Sequence, residues 1–348
     1  MTQKPIKILA DSALPNLSQL FKAPFTLTQY TSAHEVADKL PTQNILLCRS
    51  TLKVTPALLQ KCPIQCVATA SSGVDHIDTD YLKQHQIALF DAKGCNASAV
   101  ADYIMSTLAY LFQHHLIMGL KAGVIGLGEV GQQVVTRLKA IGFEVICYDP
   151  PRQAIDTSYP YCELDLLTQC DLLCVHPNFH TTKPYPSANL LDLAFLNQLK
   201  PGTVIINAAR GGIVNEAALL KTMQRITYCT DVYQDEPHIN PDIVKLSTLC
   251  TPHIAGHSIE AKEAAMIKIS EQLHDYYGLT KPSIKKALST ITPIPFTKEH
   301  WIERVLSLYN PLLETHVLKS AHDKTLAFLD QRKAHHNRHG FLFNFRGC

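Results

Sequence analysis

Gly123-Val-Ile-Gly126-Leu-Gly128-Glu-Val-Gly131 is the stretch whose reading decides the fold. Residues 121–125 read as a buried strand. The strand runs into a glycine turn that opens a helix over 130–141, where Val130, Val134, Leu138 and Ile141 recur at helical spacing. Gly126 allows the turn, Gly128 lets backbone approach a diphosphate, and Gly131 lets the helix lie close to the sheet. The helix N-terminus offers free N–H groups and a positive dipole end to that diphosphate. A second strand, 144–148, ends at Asp149, 18 residues beyond Gly131. That is near the spacing at which a carboxylate takes the adenosine ribose hydroxyls. Asp149 would repel a 2′-phosphate and so favours NAD over NADP, with Arg152 just beyond it pulling weakly the other way.

The bulk composition narrows the alternatives. The 348 residues carry 32 basic and 30 acidic side chains, a net charge of +2, which leaves no nucleic-acid footprint. Eleven cysteines, an odd number, are scattered through apparent strands and helices without a C-x-x-C pair or zinc spacing. Reduced core thiols in a cytoplasmic protein are expected, and no metal. The N-terminus has no signal-peptide core, and no apolar run reaches membrane-spanning length, so no membrane partner is expected.

Outward from the glycine turn, residues 6–98 alternate short apolar runs with helical patterns. Strands are expected at 6–10, 45–48, 65–69 and 87–90, with a helix from Ser12. This alternation implies a parallel sheet with helices on both faces. Polar groups gather at the strand ends: Arg49, Ser50 and Lys53, then Ser71, Ser72 and Asp75, then Lys93 and Asn96. Ligands bind beyond the carboxyl ends of such strands, although each group alone could be a turn or cap. A long apolar helix over 97–115 leads to the second sheet, with later strands at 172–175, 203–207, 227–230 and 248–251. A helix over 256–278 carries the chain back. From residue 281 the texture changes to prolines, an amphipathic stretch at 301–318 and a basic run at 331–346, read as a separate appendage.

Three clusters fall at strand ends of the second sheet: Asn207-Ala-Ala-Arg210-Gly-Gly, Asp231-Val-Tyr-Gln-Asp-Glu236-Pro and Thr251-Pro-His253-Ile-Ala-Gly256. Hydride transfer from an alcohol to nicotinamide requires a base for the hydroxyl proton. His253 suits that task. Arg210 can hold a carboxylate with its planar fork and polarise the oxygen that becomes a carbonyl. Glu236 could accept from the other ring nitrogen of His253 and orient it, and Asp231 could bond the nicotinamide amide. Alone, each could be a loop histidine, a surface ion pair or a cap; their shared place downstream of a dinucleotide turn favours chemistry.

Together these motifs identify the chain as resembling the D-2-hydroxyacid dehydrogenase family, from Ile6 to about Gly278. The resemblance implies two doubly wound parallel-sheet domains. One is a flavodoxin-like substrate domain of residues 1–98 and 256–280, the other a Rossmann NAD domain of residues 99–255. It implies His253 as acid/base, Glu236 as its partner and Arg210 as substrate anchor. Arg49-Ser-x-x-Lys53, residues 69–78, Gly94-Cys-Asn and Tyr148-Asp-Pro-Pro-Arg152 are similar to a branch that oxidises a phosphorylated 2-hydroxy acid for pyridoxal phosphate synthesis. By that similarity Ser50, Ser71 and His257 would touch substrate, and Asp149, Asp231 and Gly256 would touch NAD. Residues 281–348 would be a small α+β dimerisation segment, making a homodimer. Ser71 replaces a usual threonine, His257 a usual tyrosine, and His176-Pro177-Asn178 a usual His-Thr-Pro. Arg332 and Arg338 could reach a phosphate across a dimer or lie on a solvated face. A sibling substrate, 3-phosphoglycerate or D-lactate, and a non-catalytic NAD sensor are the alternatives.

Overall fold

The computed structural model describes residues 4–282, 294–295, 300–335, 338–341 and 343–344. They fall into two units. The first is Met1–Asn96 with Ile259–Thr290, and the second is Ala97–Ser258 with Ile291–Cys348.

The first unit is built on β1 (Ile6–Asp11), β2 (Phe25–Tyr30), β3 (Ile45–Cys48), β4 (Cys66–Thr69) and β5 (Ala88–Asp91). All pair in parallel in the order β2-β1-β3-β4-β5, the flavodoxin-like order. Side chains alternate across the sheet. Ile8, Ala10, Ile45, Leu47, Cys66 and Ala68 face the Ile259–Tyr276 helix through Ala265, Met266, Ile269 and Leu273. Leu9, Leu46, Cys48 and Val67 face the other way, against Val36, Leu59 and Leu82. Burial on both faces explains why β3 and β4 are continuous apolar runs. Strand β2 was not anticipated. It is an edge strand whose Thr and Gln residues dilute the apolar signal, and only its end residues Phe25 and Tyr30 are buried. The helix expected from Ser12 shrinks to Leu17–Leu20.

The second unit carries β6 (Lys121–Ile125), β7 (Glu144–Tyr148), β8 (Leu172–Val175), β9 (Val204–Asn207), β10 (Thr227–Thr230) and β11 (Leu249–Cys250). They form a parallel sheet in the order β11-β10-β9-β8-β6-β7. A one-residue parallel bridge, Cys147 to Tyr161, adds a vestigial strand outside β7. With it, the order from that edge is 3-2-1-4-5-6, continued by β11, which is the Rossmann arrangement. One face, with Val124, Cys174, Ile206 and Cys229, packs against the Ala97–Gln113 and Glu129–Ala140 helices. The other, with Ile125, Leu173, Val175 and Ile205, packs against Phe195, Leu196 and Ile243.

The boundaries expected at 98/99 and 255/256 lie at 96/97 and 258/259, so Gly256 and His257 belong with the second unit. The described residues from Ile294 onward of the segment expected as a separate appendage also join that unit. Its amphipathic stretch is two helices, Trp301–Leu308 and Leu312–Ser320, interrupted around Pro311, followed by Lys324–Ala334. Trp301 and Val305 enter one core and Leu318 and Phe328 the other. Thr315 Oγ1 accepts from the Cys250 N–H (2.9 Å) and lies 3.0 Å from the Cys250 carbonyl. The free edge of β11 is thereby covered by a helix. Arg338, expected on a solvated face or across a dimer, is buried instead. It donates to the carbonyls of Ala99 and Ala255 and lies 4.9 Å from the Tyr309 ring centroid.

Candidate active site

The glycine turn joins β6 to the Glu129–Ala140 helix. Gly126 has φ +82°, and a Cβ there would lie 2.6 Å from the Pro177 nitrogen, so the turn is pressed against the end of β8. A Cβ on Gly131 would lie 1.9 Å from the Gly126 carbonyl oxygen, whereas one on Gly128 would meet nothing within 4 Å. Gly128 is the N-cap of the helix, and no side chain caps it. An open glycine over an uncapped 12-residue helix fits a dinucleotide diphosphate. Asp149 closes the turn from β7. Its Oδ2 accepts from the Leu127 N–H (2.6 Å) and its Oδ1 from the Arg152 N–H (3.0 Å). The Arg152 guanidinium is engaged with Asp156 at 3.1 Å, so it is held by a carboxylate of its own. A cavity of about 280 Å³ lined by Tyr148, Pro150, Glu163 and Tyr185 opens beside Asp149. His176 sits at the end of β8. Burial pushes its imidazole down to about 3, so it contributes no positive charge to the turn at neutral pH.

The three chemical clusters follow β9, β10 and β11, which are neighbours in the sheet, so their loops emerge side by side from its carboxyl edge. Asn207 folds the first loop. Its Oδ1 accepts from the Ala209 N–H (3.1 Å) and its Nδ2 donates to the Arg210 carbonyl (3.1 Å). Arg210 is partly buried and donates to the Ala209 carbonyl (2.8 Å). A Cβ on Gly211 would lie 1.9 Å from the Tyr233 carbonyl oxygen, so the Arg210 loop and the Glu236 loop touch backbone to backbone.

Glu236 and His253 meet: Oε2 of the carboxylate lies 2.7 Å from Nδ1 of the ring, an arrangement in which Nε2 can exchange a proton. Glu236 Oε1 accepts from the Tyr233 N–H (3.0 Å). Burial opposes the Glu236 charge. The charge and hydrogen bond of His253, the Tyr233 N–H and Arg332 outweigh it and hold the carboxyl below its usual value. His253 adopts φ +56°, a left-handed conformation costly for a non-glycine residue. Asp231 imposes it. Its carbonyl accepts from the His253 N–H (2.8 Å), and its buried carboxylate accepts from Thr251 Oγ1 (2.6 Å) and from the Ile254 and Ala255 N–H groups (both 2.8 Å). Burial raises the Asp231 carboxyl above its ordinary value despite these donors. Three donors on one carboxylate make Asp231 the anchor of the His253 loop.

In the first unit, Ser50 and Ser71 are brought together: the Ser50 N–H donates to Ser71 Oγ (3.1 Å). Arg49 is bound in a fork to Asp11, at 2.8 and 3.2 Å, while Lys53 and Lys93 are exposed.

Sequence reasoning missed two supports of the Glu236 loop. Buried Glu216 accepts from the Gln234 N–H (2.9 Å), with its carboxyl raised mainly by burial. Arg332 Nη1 stands 3.9 Å from Glu236 Oε2 within the same chain. The only advance signal for the latter was helical spacing, Phe328 to Arg332.

A dinucleotide turn with an imidazole–carboxylate pair and a guanidinium on adjacent strand ends defines a nicotinamide-dependent dehydrogenase of the Rossmann type. Comparison with known proteins narrows this. Residues 102–255 match the family model of the D-isomer specific 2-hydroxyacid dehydrogenase, NAD binding domain. The chain is 50% identical over 341 residues to the erythronate-4-phosphate dehydrogenase of Legionella pneumophila strain Lens, covering 98% of this chain and 97% of that one. It is 39% identical over 277 residues to the enzyme of the same name from Coxiella burnetii strain RSA 331, covering 79% and 75%. The NAD complex of formate dehydrogenase from Staphylococcus aureus shares the fold, with a TM-score of 0.65 at 21% identity over 78% of this chain and 96% of that one. The chain belongs to the erythronate-4-phosphate dehydrogenases, a branch of the D-isomer specific 2-hydroxyacid dehydrogenase family.

Proposed function

We propose that the chain oxidises the 2-hydroxyl of 4-phospho-D-erythronate to (R)-3-hydroxy-2-oxo-4-phosphooxybutanoate, reducing NAD to NADH, as a step of pyridoxal 5′-phosphate biosynthesis. The observation that carries this reading is the 2.7 Å contact between His253 and Glu236, one strand away from the Arg210 loop. NAD supplies the hydride acceptor. His253 takes the hydroxyl proton, Glu236 orients the ring and balances the imidazolium, and Arg210 holds the substrate carboxylate and draws charge onto the forming carbonyl. Gly126, Gly128 and Gly131 form the diphosphate turn, Asp149 takes the ribose, and Asp231 and Gly256 complete the cofactor side. Ser50, Ser71 and His257 contact the substrate.

In this reading the enzyme works as a homodimer in the cytoplasm. Exposed Leu313 and Val317 on one C-terminal helix, and Leu326 and Leu329 on the next, support a self-association surface. Sedimentation should show a dimer that Leu313→Asp converts to monomer; a monomeric parent chain ends this part of the reading.

The substrate assignment is tested by following NADH absorbance with 4-phospho-D-erythronate, 3-phosphoglycerate and D-lactate in parallel. Turnover should be confined to the first. A preference for another acid reassigns the substrate, and tight NAD binding without turnover of any of them indicates a sensor.

A further inference from the structure

One stripe of the Lys324–Ala334 helix runs along the loop that carries Glu236. Thr325 Oγ1 lies 3.3 Å from His238 Nδ1. Phe328 is buried edge-on against Tyr233, with ring centroids 6.0 Å apart. Arg332 reaches Glu236 Oε2 at 3.9 Å. His335, at the helix C-cap, lies with its ring 5.9 Å from that of His257. Spacings of three and four put these side chains on one helical face. The helix start is set by Asp323, whose carboxylate accepts from the Leu326 N–H (2.9 Å).

We propose that this helix is a splint for the catalytic loop and that Arg332 is a positioning residue of the Glu236–His253 pair, acting in cis. The inference rests on the dehydrogenase reading of that pair. Glu236 Oε2 faces both the ring and the guanidinium, while Oε1 is taken by the Tyr233 N–H. The carboxylate is therefore held from three sides. The guanidinium shares the charge that would otherwise serve the imidazolium alone. Other charged groups nearby are Glu216 and Asp235 beside Glu236, and Asp231 beside His253. All three are acidic; Arg210 on the neighbouring loop and Arg338 on the Ala255 carbonyl are cations of the same region, and Arg332 is the one whose guanidinium stands at Glu236 Oε2.

Removing a cation from this site makes protonation of the pair easier. In Arg332→Gln, the acidic limb of the kcat/KM profile for oxidation should move to higher pH by about half to one unit, the Coulomb effect of one partly solvated charge. The KM for NAD should stay unchanged, kcat at neutral pH should fall several-fold, and Arg332→Lys should restore most of the limb. An unchanged profile overturns the role. So does a raised KM for the phosphorylated substrate with the profile unmoved, which would make Arg332 an anion-binding group. His253→Ala, run beside these variants, separates the two failures. If it still turns over, the pair is not the acid–base group and the role of Arg332 falls with it. If it is inactive while Arg332→Gln keeps the parent profile, only the splint is wrong.

Discussion

The turn after β6 and the loop after β10 deliver chemistry to the same sheet edge, but different contacts hold them. The glycine turn is closed by neighbours in sequence and in the adjoining strands: Gly131 against Gly126, Asp149 against Leu127. The Glu236 loop is closed by residues from two other parts of the chain: Gly211 and Glu216 after β9, and the helix bearing Phe328 and Arg332. A cofactor turn can be specified within one βαβ unit because it needs only backbone N–H groups and room. An acid–base pair needs two side chains at hydrogen-bond distance, and that requires a scaffold which locks both.

The comparison can be broken most severely at the pair itself. His253→Ala should lower turnover by about two to four orders of magnitude with NAD affinity nearly unchanged, measured by steady-state kinetics beside cofactor titration. A comparable loss of NAD binding would show that the two regions are not separable. In the turn, a matched pair of substitutions sharpens the contrast. Gly131→Ala drives a methyl onto a carbonyl oxygen and should cost about 1–3 kcal/mol of stability as well as cofactor affinity. Gly128→Ala enters open space, so its melting temperature should match the parent while NAD binding weakens about tenfold or more, because the methyl occupies the approach of the diphosphate. Equal melting losses in both would mean that Gly128 serves the fold and not the ligand.

The smallest expected effect is on acid stability. The Glu236 carboxyl is held below its ordinary value, so its contribution is fully present above the unfolded carboxylate's pKa of about 4.3. That contribution is lost as pH falls from there through the lower folded value. Glu236→Gln should therefore melt below the parent at pH 7, with the gap narrowing below about pH 4. A gap independent of pH would assign the loss to packing alone.

Much of this protein could be read along the chain. Strands β3, β8 and β9 are apolar runs because parallel strands are covered on both faces, and the glycine turn carries its own geometry. Arg210, Glu236 and His253 stood out as candidates because each follows a strand by a few residues. Tertiary structure decided what depends on distant partners. It made Asp231 the anchor of the His253 loop, since its three donors lie 20 and more residues away. It drew the C-terminal helices into the second unit, because Trp301, Val305, Leu318 and Phe328 find apolar surface there that a short segment cannot supply for itself. It also turned Arg332 from one member of a basic run into a neighbour of Glu236. Spacing along a helix tells which side chains share a face, but only packing tells what that face meets.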